Sequence, residues 1–197
     1  MKVKQELTDI TGKPYITYEQ MNILINFQKL WSQLALWMRT FVSHTLENSS
    51  DLSYVTTRLF EKVPLNFYNS FIIFYGVDTS RQFLTILTRF LSNVWKIANG
   101  YSNKDSASID SSTVTWYQSA DELASFLESV NVYWDEAIWR SLLYQYIQLY
   151  IQQIIARVGG DFEHAHEIND TVEELTYMIG SYMAKGIIAN NLANTPT

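Results

Sequence analysis

Apolar residues recur through almost the whole chain at steps of three and four, and only three prolines and seven glycines interrupt them. That spacing gathers side chains on one face of an α-helix, whereas a half-buried strand alternates residue by residue. The fold class predicted is all-α. A first helix is expected from Tyr18 to Leu46, with Phe27, Leu30, Trp31, Leu34, Trp37, Met38 and Phe41 on one wide stripe, ending in the turn Asn48-Ser49-Ser50-Asp51. A second takes Asp51 as N-cap and runs towards Tyr75, kinked at Pro64, where the amide donor is missing. Gly76 closes it. The third, from Asp78 or Thr79, carries Phe83, Ile86, Leu87, Phe90, Val94 and Ile97 and stops at Asn99-Gly100.

Residues Tyr101 to Ser112 are rich in Ser, Asp and Asn and are expected to form an exposed connection. A shorter helix, Thr113 to Val130, comes next, then the turn Asn131-Val132-Tyr133-Trp134 and Asp135 as N-cap of a fifth helix, Glu136 to Val158. There Trp139, Leu142, Leu143, Tyr146, Ile147, Tyr150 and Ile154 cover most of the circumference. The remaining edge is neutral: Ser141, Gln145, Gln148 and Gln152 follow one another at steps of four, three and four. After Gly159-Gly160, Asp161 opens a last helix, with Ile168, Val172, Leu175, Ile179 and Tyr182 buried, down to about Leu192. The division expected is a polar N-terminal extension over residues 1–17, one helical-bundle domain over 18–192, and a frayed tail over 193–197.

The segments Leu30-Trp31-Ser32-Gln33-Leu34-Ala35-Leu36 and Leu142-Leu143-Tyr144-Gln145-Tyr146-Ile147-Gln148 share a pattern, and each stands in a long helix followed by an acidic turn and another long helix. Two related helical hairpins are expected, packed as a four-helix-type antiparallel bundle, with about six helices in all once the third and fourth fill one side.

Composition narrows the function classes. A chain of 197 residues, 47% hydrophobic, suffices for a single domain, burying about 70% of the surface its unfolded form exposes. The net charge of −6 without a Lys/Arg cluster excludes a nucleic-acid footprint, which needs a basic face against the phosphates. Absence of Cys excludes disulfides and thiolate metal sites. Met1 to Pro14 is polar, with no signal-like apolar stretch, and no apolar run of membrane-spanning length follows. A soluble, unsecreted, cytoplasmic protein is expected.

The stretches Leu30-Trp31, Asp51 to Leu59, Trp116 to Leu127 and Ile155-Ala156-Arg157-Val158 resemble an uncharacterised family of small all-helical proteins from spore-forming Firmicutes, over about Asn26 to Ile188. Members often carry the label acetylglutamate kinase, which this chain does not support: it has no Gly-rich phosphate loop and no alternation of strand and helix. The family pattern has Trp-Glu-Glu-His on its first helix, Asp-His on the third and Tyr-Glu-His on the fifth, a set suited to a buried metal or polar site. Here those positions read Ser32-Gln33-Leu34, Arg89-Phe90 and Gln145-Tyr146, so Leu34, Phe90 and Tyr146 replace the histidines. Leu and Phe offer no lone pairs, and no cofactor is expected.

Little other chemistry is legible. His166, Asp170 and Glu173, at steps of four and three on the last helix, are weak metal or acid/base candidates; read as a solvated flank beside Glu163, Glu167 and Glu174, they carry none. His44 reads as a boundary histidine, and no nucleophile elbow ties any Ser, His and Asp together. No catalytic constellation is expected. Aromatic residues make up 15% of the chain and charged residues only 17%, which supplies contact area while weakening the repulsion that keeps copies apart. The function expected is therefore a non-catalytic bundle with a structural, self-associating or partner-binding role, a homo-oligomer whose interface includes Ser141, Gln145, Gln148 and Gln152, or which meets another protein there. A link with sporulation follows only from the family resemblance. The alternatives are a ligand-binding bundle with an apolar aromatic pocket beside the replaced histidine positions, and a metal-binding bundle of the ferritin-like type, disfavoured because the bundle helices lack a Glu-x-x-His pair.

Overall fold

The computed structural model describes residues 16–194, which are helical throughout apart from short turns. Helix α1 (Tyr18–Glu47) opens on a capping box: the Gln20 amide donates to Thr17 Oγ1 at 3.2 Å, and the Thr17 amide donates to Gln20 Oε1 at 3.0 Å. Two amides that the helix cannot satisfy are thereby paired. It ends at Asn48, whose φ of 51° is left-handed.

Asp51 does not cap α2 (Leu52–Thr57) with its side chain. Its carboxylate accepts from Ser49 Oγ at 2.6 Å and faces His44 Nε2 at 3.2 Å, while His44 Nδ1 lies 2.8 Å from the Thr40 carbonyl. The hydrogen bond from Ser49, with help from His44, holds this carboxyl below its ordinary value. The kink expected at Pro64 is instead a π turn over Arg58–Lys62 that leads into α3 (Val63–Asn103). Pro64 falls in the first turn of α3, where its missing donor costs least and the widened turn accommodates its ring.

Gly76 interrupts α3 with φ 73° and ψ −178°, a conformation open to glycine and strained for other residues. The arms on either side, 63–75 and 77–103, fold back on one another: Phe71 stacks on Phe83 at 4.4 Å and Phe67 meets the same ring at 6.0 Å. The second arm does not stop at Asn99-Gly100, and the connection expected over Tyr101 to Ser112, although exposed over most of that stretch, shrinks to a turn at Lys104-Asp105. The helix continues to Asn103, reverses at Lys104 (φ 57°), and α4 (Ser106–Val130) begins at once with Asp105 accepting from the Ser108 amide at 3.1 Å. Close packing explains the difference. A β-carbon on Gly100 would stand 2.8 Å from Ile109 Cγ1, so the helices close where glycine leaves room, and Ser112 is buried. Tertiary packing overrides the weak helix propensity of this Ser/Asp-rich segment.

Helix α5 (Glu136–Val158) has the expected limits, with Asp135 accepting from the Ile138 amide at 2.9 Å. Helix α6 (Phe162–Asn194) follows Asp161, which accepts from the His164 amide at 3.1 Å. Ala193, assigned from sequence to a frayed tail, lies within α6; residues 195–197, and the expected extension up to residue 15, lie outside the described residues.

Cross-helix contacts set the directions. Phe41 meets Phe60, Trp31 meets Phe67 and Phe27 meets Phe74, so the first arm of α3 runs antiparallel to α1. Trp31 meets Trp139 and Arg157 pairs with Glu47, so α5 runs parallel to α1, and α6 returns beside both, with Gln28 hydrogen-bonded to Ser181 at 2.9 Å. The helices close into a ring in the order α1, α3, α4, α5, α6 and back to α1. With α2 and the first arm taken as one rod, this is an all-α bundle of six rods that alternate in direction.

Candidate functional site

Leu34, Phe90 and Tyr146 are each fully buried. Tyr146 lies edge-on to Trp31 at 6.2 Å, and its hydroxyl reaches Met38 Sδ at 3.2 Å; Phe90 packs instead on Trp116 of α4 at 5.8 Å. Trp31, Phe67, Phe71, Phe83, Trp134 and Trp139 continue this interior as linked rings. The Tyr150 hydroxyl donates to the Ala35 carbonyl at 2.8 Å. Burial pushes the phenols of both Tyr146 and Tyr150 well above the ordinary tyrosine value, so neither supplies an anion at neutral pH. Four buried indole N–H groups, those of Trp31, Trp116, Trp134 and Trp139, find no acceptor. Shape, rather than polar pairing, organises these rings.

His166, Asp170 and Glu173 lie exposed on the outer side of α6. Among the described residues no three His, Asp or Glu side chains gather in a metal-holding group. The Tyr177 hydroxyl donates to Glu173 Oε1 at 3.4 Å.

The neutral edge of α5 is different. Ser141, Gln145, Gln148 and Gln152 are all exposed, and the stripe is longer than its four polar members: Ile138, 48% exposed, precedes it by three residues and Ile155, 51% exposed, follows by three. The run Ile138, Ser141, Gln145, Gln148, Gln152, Ile155 thus steps by three, four, three, four and three, the spacing of a seam between two helices. Every charged residue of α5 is turned aside. Arg140 binds Glu136 and, at 2.7 Å, Asp121 of α4, and Arg157 binds Glu47 of α1 at 3.3 Å. Sequence reasoning found the polar middle of this stripe and missed its apolar ends, although the same step of three marks them.

Two clefts of about 300 and 360 Å³ open along the outer side of α1 where α6 packs on it, and they share Ser32 and Leu36. None of the three replaced histidine positions lines either cleft, so neither is the aromatic pocket expected from sequence. Arg39 and Asn169, which line the first, had no signal in the sequence, because their meeting depends on the pairing of α1 with α6.

The chain matches no family model, no curated protein and no solved structure. No helix among the described residues is long and apolar enough to cross a membrane.

Proposed function

We propose that this protein is a non-catalytic helical bundle that assembles with a second copy of itself through the outer face of α5. The observation that carries the reading is the spacing of the exposed stripe, which is the same in both directions, with an isoleucine at each end and neutral polar residues between. In an antiparallel pair of α5 helices related by a two-fold axis, Ile138 faces Ile155, Ser141 faces Gln152 and Gln145 faces Gln148. A two-fold interface requires such self-complementarity, since each patch must fit its own copy. Apolar contacts then close both ends, and side chains that both donate and accept meet in the middle. No charge on the stripe is desolvated.

Helix α5 has 23 residues, so it is about 34 Å long, and a helix pair of that length buries on the order of 1,000 Å² in total, the lower edge of specific interfaces. The association expected is weak and reversible. The cytoplasmic setting stays an expectation of the sequence, and the spore association, which belongs to the same proposal, is supported by the family resemblance alone.

Sedimentation velocity over the micromolar range tests it. The wild-type protein should pass from monomer to dimer. The variant Gln145→Lys with Gln148→Lys sets like charges opposite one another and should stay monomeric; Gln145→Glu with Gln148→Lys sets opposite charges across the two-fold axis and should restore the dimer. A wild-type protein that remains monomeric throughout, or a double-lysine variant that associates like wild type, would refute the α5 interface.

A further inference from the structure

The first cleft between α1 and α6 has the features of a ligand site. Arg39 lines it, and no hydrogen bond or ion pair to its guanidinium is present among the described residues; its charge acts on the buried Tyr150 beneath. An unpaired guanidinium beside a cleft is a ready partner for a carboxylate. Asn169, only 8% exposed, turns its carbonyl to the Gln153 amide, which leaves Asn169 Nδ2 without an acceptor and Gln153 Oε1 without a donor. Ser32 Oγ, on the facing side of the cleft, is also buried without a partner. Of the nine buried side-chain polar atoms without a partner among the described residues, Asn169 Nδ2 and Ser32 Oγ line the cleft that Arg39 borders, where a ligand could pair them.

The charge opposite Arg39 decides the class of ligand. Glu173 lines the same cleft from α6, yet no ion pair joins it to Arg39. A phosphate would be repelled by that carboxylate, and a simple cation by Arg39. A molecule carrying both signs satisfies both groups. The adjoining cleft, reached past Ser32 and Leu36, is lined by Ile25, Leu36 and Tyr177, each about half exposed, with Gln28, Lys29 and Gln33 beside them, and so offers an apolar wall with a polar rim for a side chain.

We infer that the α1/α6 cleft binds a small zwitterion with an apolar side chain, of which a free aliphatic amino acid is the simplest case, its carboxylate on Arg39 and Asn169 and its ammonium towards Glu173. The site is independent of the α5 stripe, so either can fail without the other.

Titration calorimetry with L-leucine as probe, on wild-type protein held dilute, tests the inference, with isocaproate and isoamylamine as the same skeleton lacking the amine or the carboxylate. L-leucine should bind saturably, and each single-charge analogue should bind roughly tenfold more weakly, since each leaves one charged hydrogen-bonding group of the site without its partner. Arg39→Gln should remove most of the affinity with little change in the melting temperature, because the Arg39 guanidinium makes no hydrogen bond or ion pair among the described residues and glutamine keeps part of its aliphatic stem. Glu173→Gln, at an exposed position, should weaken L-leucine and should not weaken isocaproate, whose carboxylate it relieves of repulsion. Absence of saturable L-leucine binding, unchanged binding in Arg39→Gln, or isocaproate binding as tightly as L-leucine would overturn the inference.

Discussion

Gly180→Ala isolates what holds α1 against α6. In a helix interior this change ordinarily stabilises, since alanine exceeds glycine in helix propensity by about 1 kcal/mol. Here a β-carbon on Gly180 would stand 2.6 Å from Gln28 Cα, and 2.8 Å from both the Gln28 amide nitrogen and the Phe27 carbonyl oxygen. All three are backbone atoms of α1, so no side-chain rotation relieves the clash. Ordinary contact begins near 3.4 Å, so α1 would have to retreat by about 0.8 Å along a seam that includes the Gln28–Ser181 hydrogen bond. Overpacking of this kind costs about 1–3 kcal/mol or more, and opening a close-packed seam adds lost dispersion contacts. The net expectation is destabilisation by about 1–3 kcal/mol, opposite in sign to the propensity effect. Urea unfolding followed by far-ultraviolet circular dichroism measures it as a lower midpoint with the slope retained. A Gly180→Ala variant as stable as wild type, or more so, would refute the close approach of α1 and α6.

Leu34→His should destabilise the fold by about 3 kcal/mol, because the imidazole would sit fully buried without a partner and the leucine's own transfer energy is lost; an unchanged melting temperature would show that the interior there is not dry. Raising the pH should unfold the protein through its tyrosines. Burial holds the phenols of Tyr75, Tyr146 and Tyr150 above their ordinary value of 10.0, so the unfolded chain ionises first. The stability this contributes is fully present below that value and is lost as the pH rises beyond it. A tyrosinate absorbance titration should show these phenols ionising only together with the loss of helical circular dichroism, and a fully smooth titration of all tyrosines with the fold intact would contradict their burial.

Helical periodicity was sufficient to read the class, the limits of α5 and the break at Gly76, because each depends on local rules: the step of three and four, an Asp cap, and a glycine where the backbone turns left-handed. It was also sufficient to place Leu34, Phe90 and Tyr146 on apolar stripes, and all three are buried. Local rules failed where a distant contact outweighed them. The Ser/Asp-rich stretch after Tyr101 is helix because Gly100 admits Ile109, and the irregularity near Pro64 takes the form of a π turn, which no residue type announces. The α5 stripe was half legible, since its polar residues stand out against an apolar helix while Ile138 and Ile155 look like core until neighbouring helices fail to cover them. Of the cleft of Arg39, Asn169 and Glu173, the sequence singled out only Glu173, and for a metal or acid/base role rather than for this cleft. Its residues lie on helices separated by most of the chain, and only the backbone approach allowed by Gly180 brings α6 close enough to α1 to make them one site. Spacing along a helix decides which side chains share a face; which two faces meet is decided by packing among all the helices at once, and that is where the cleft arises.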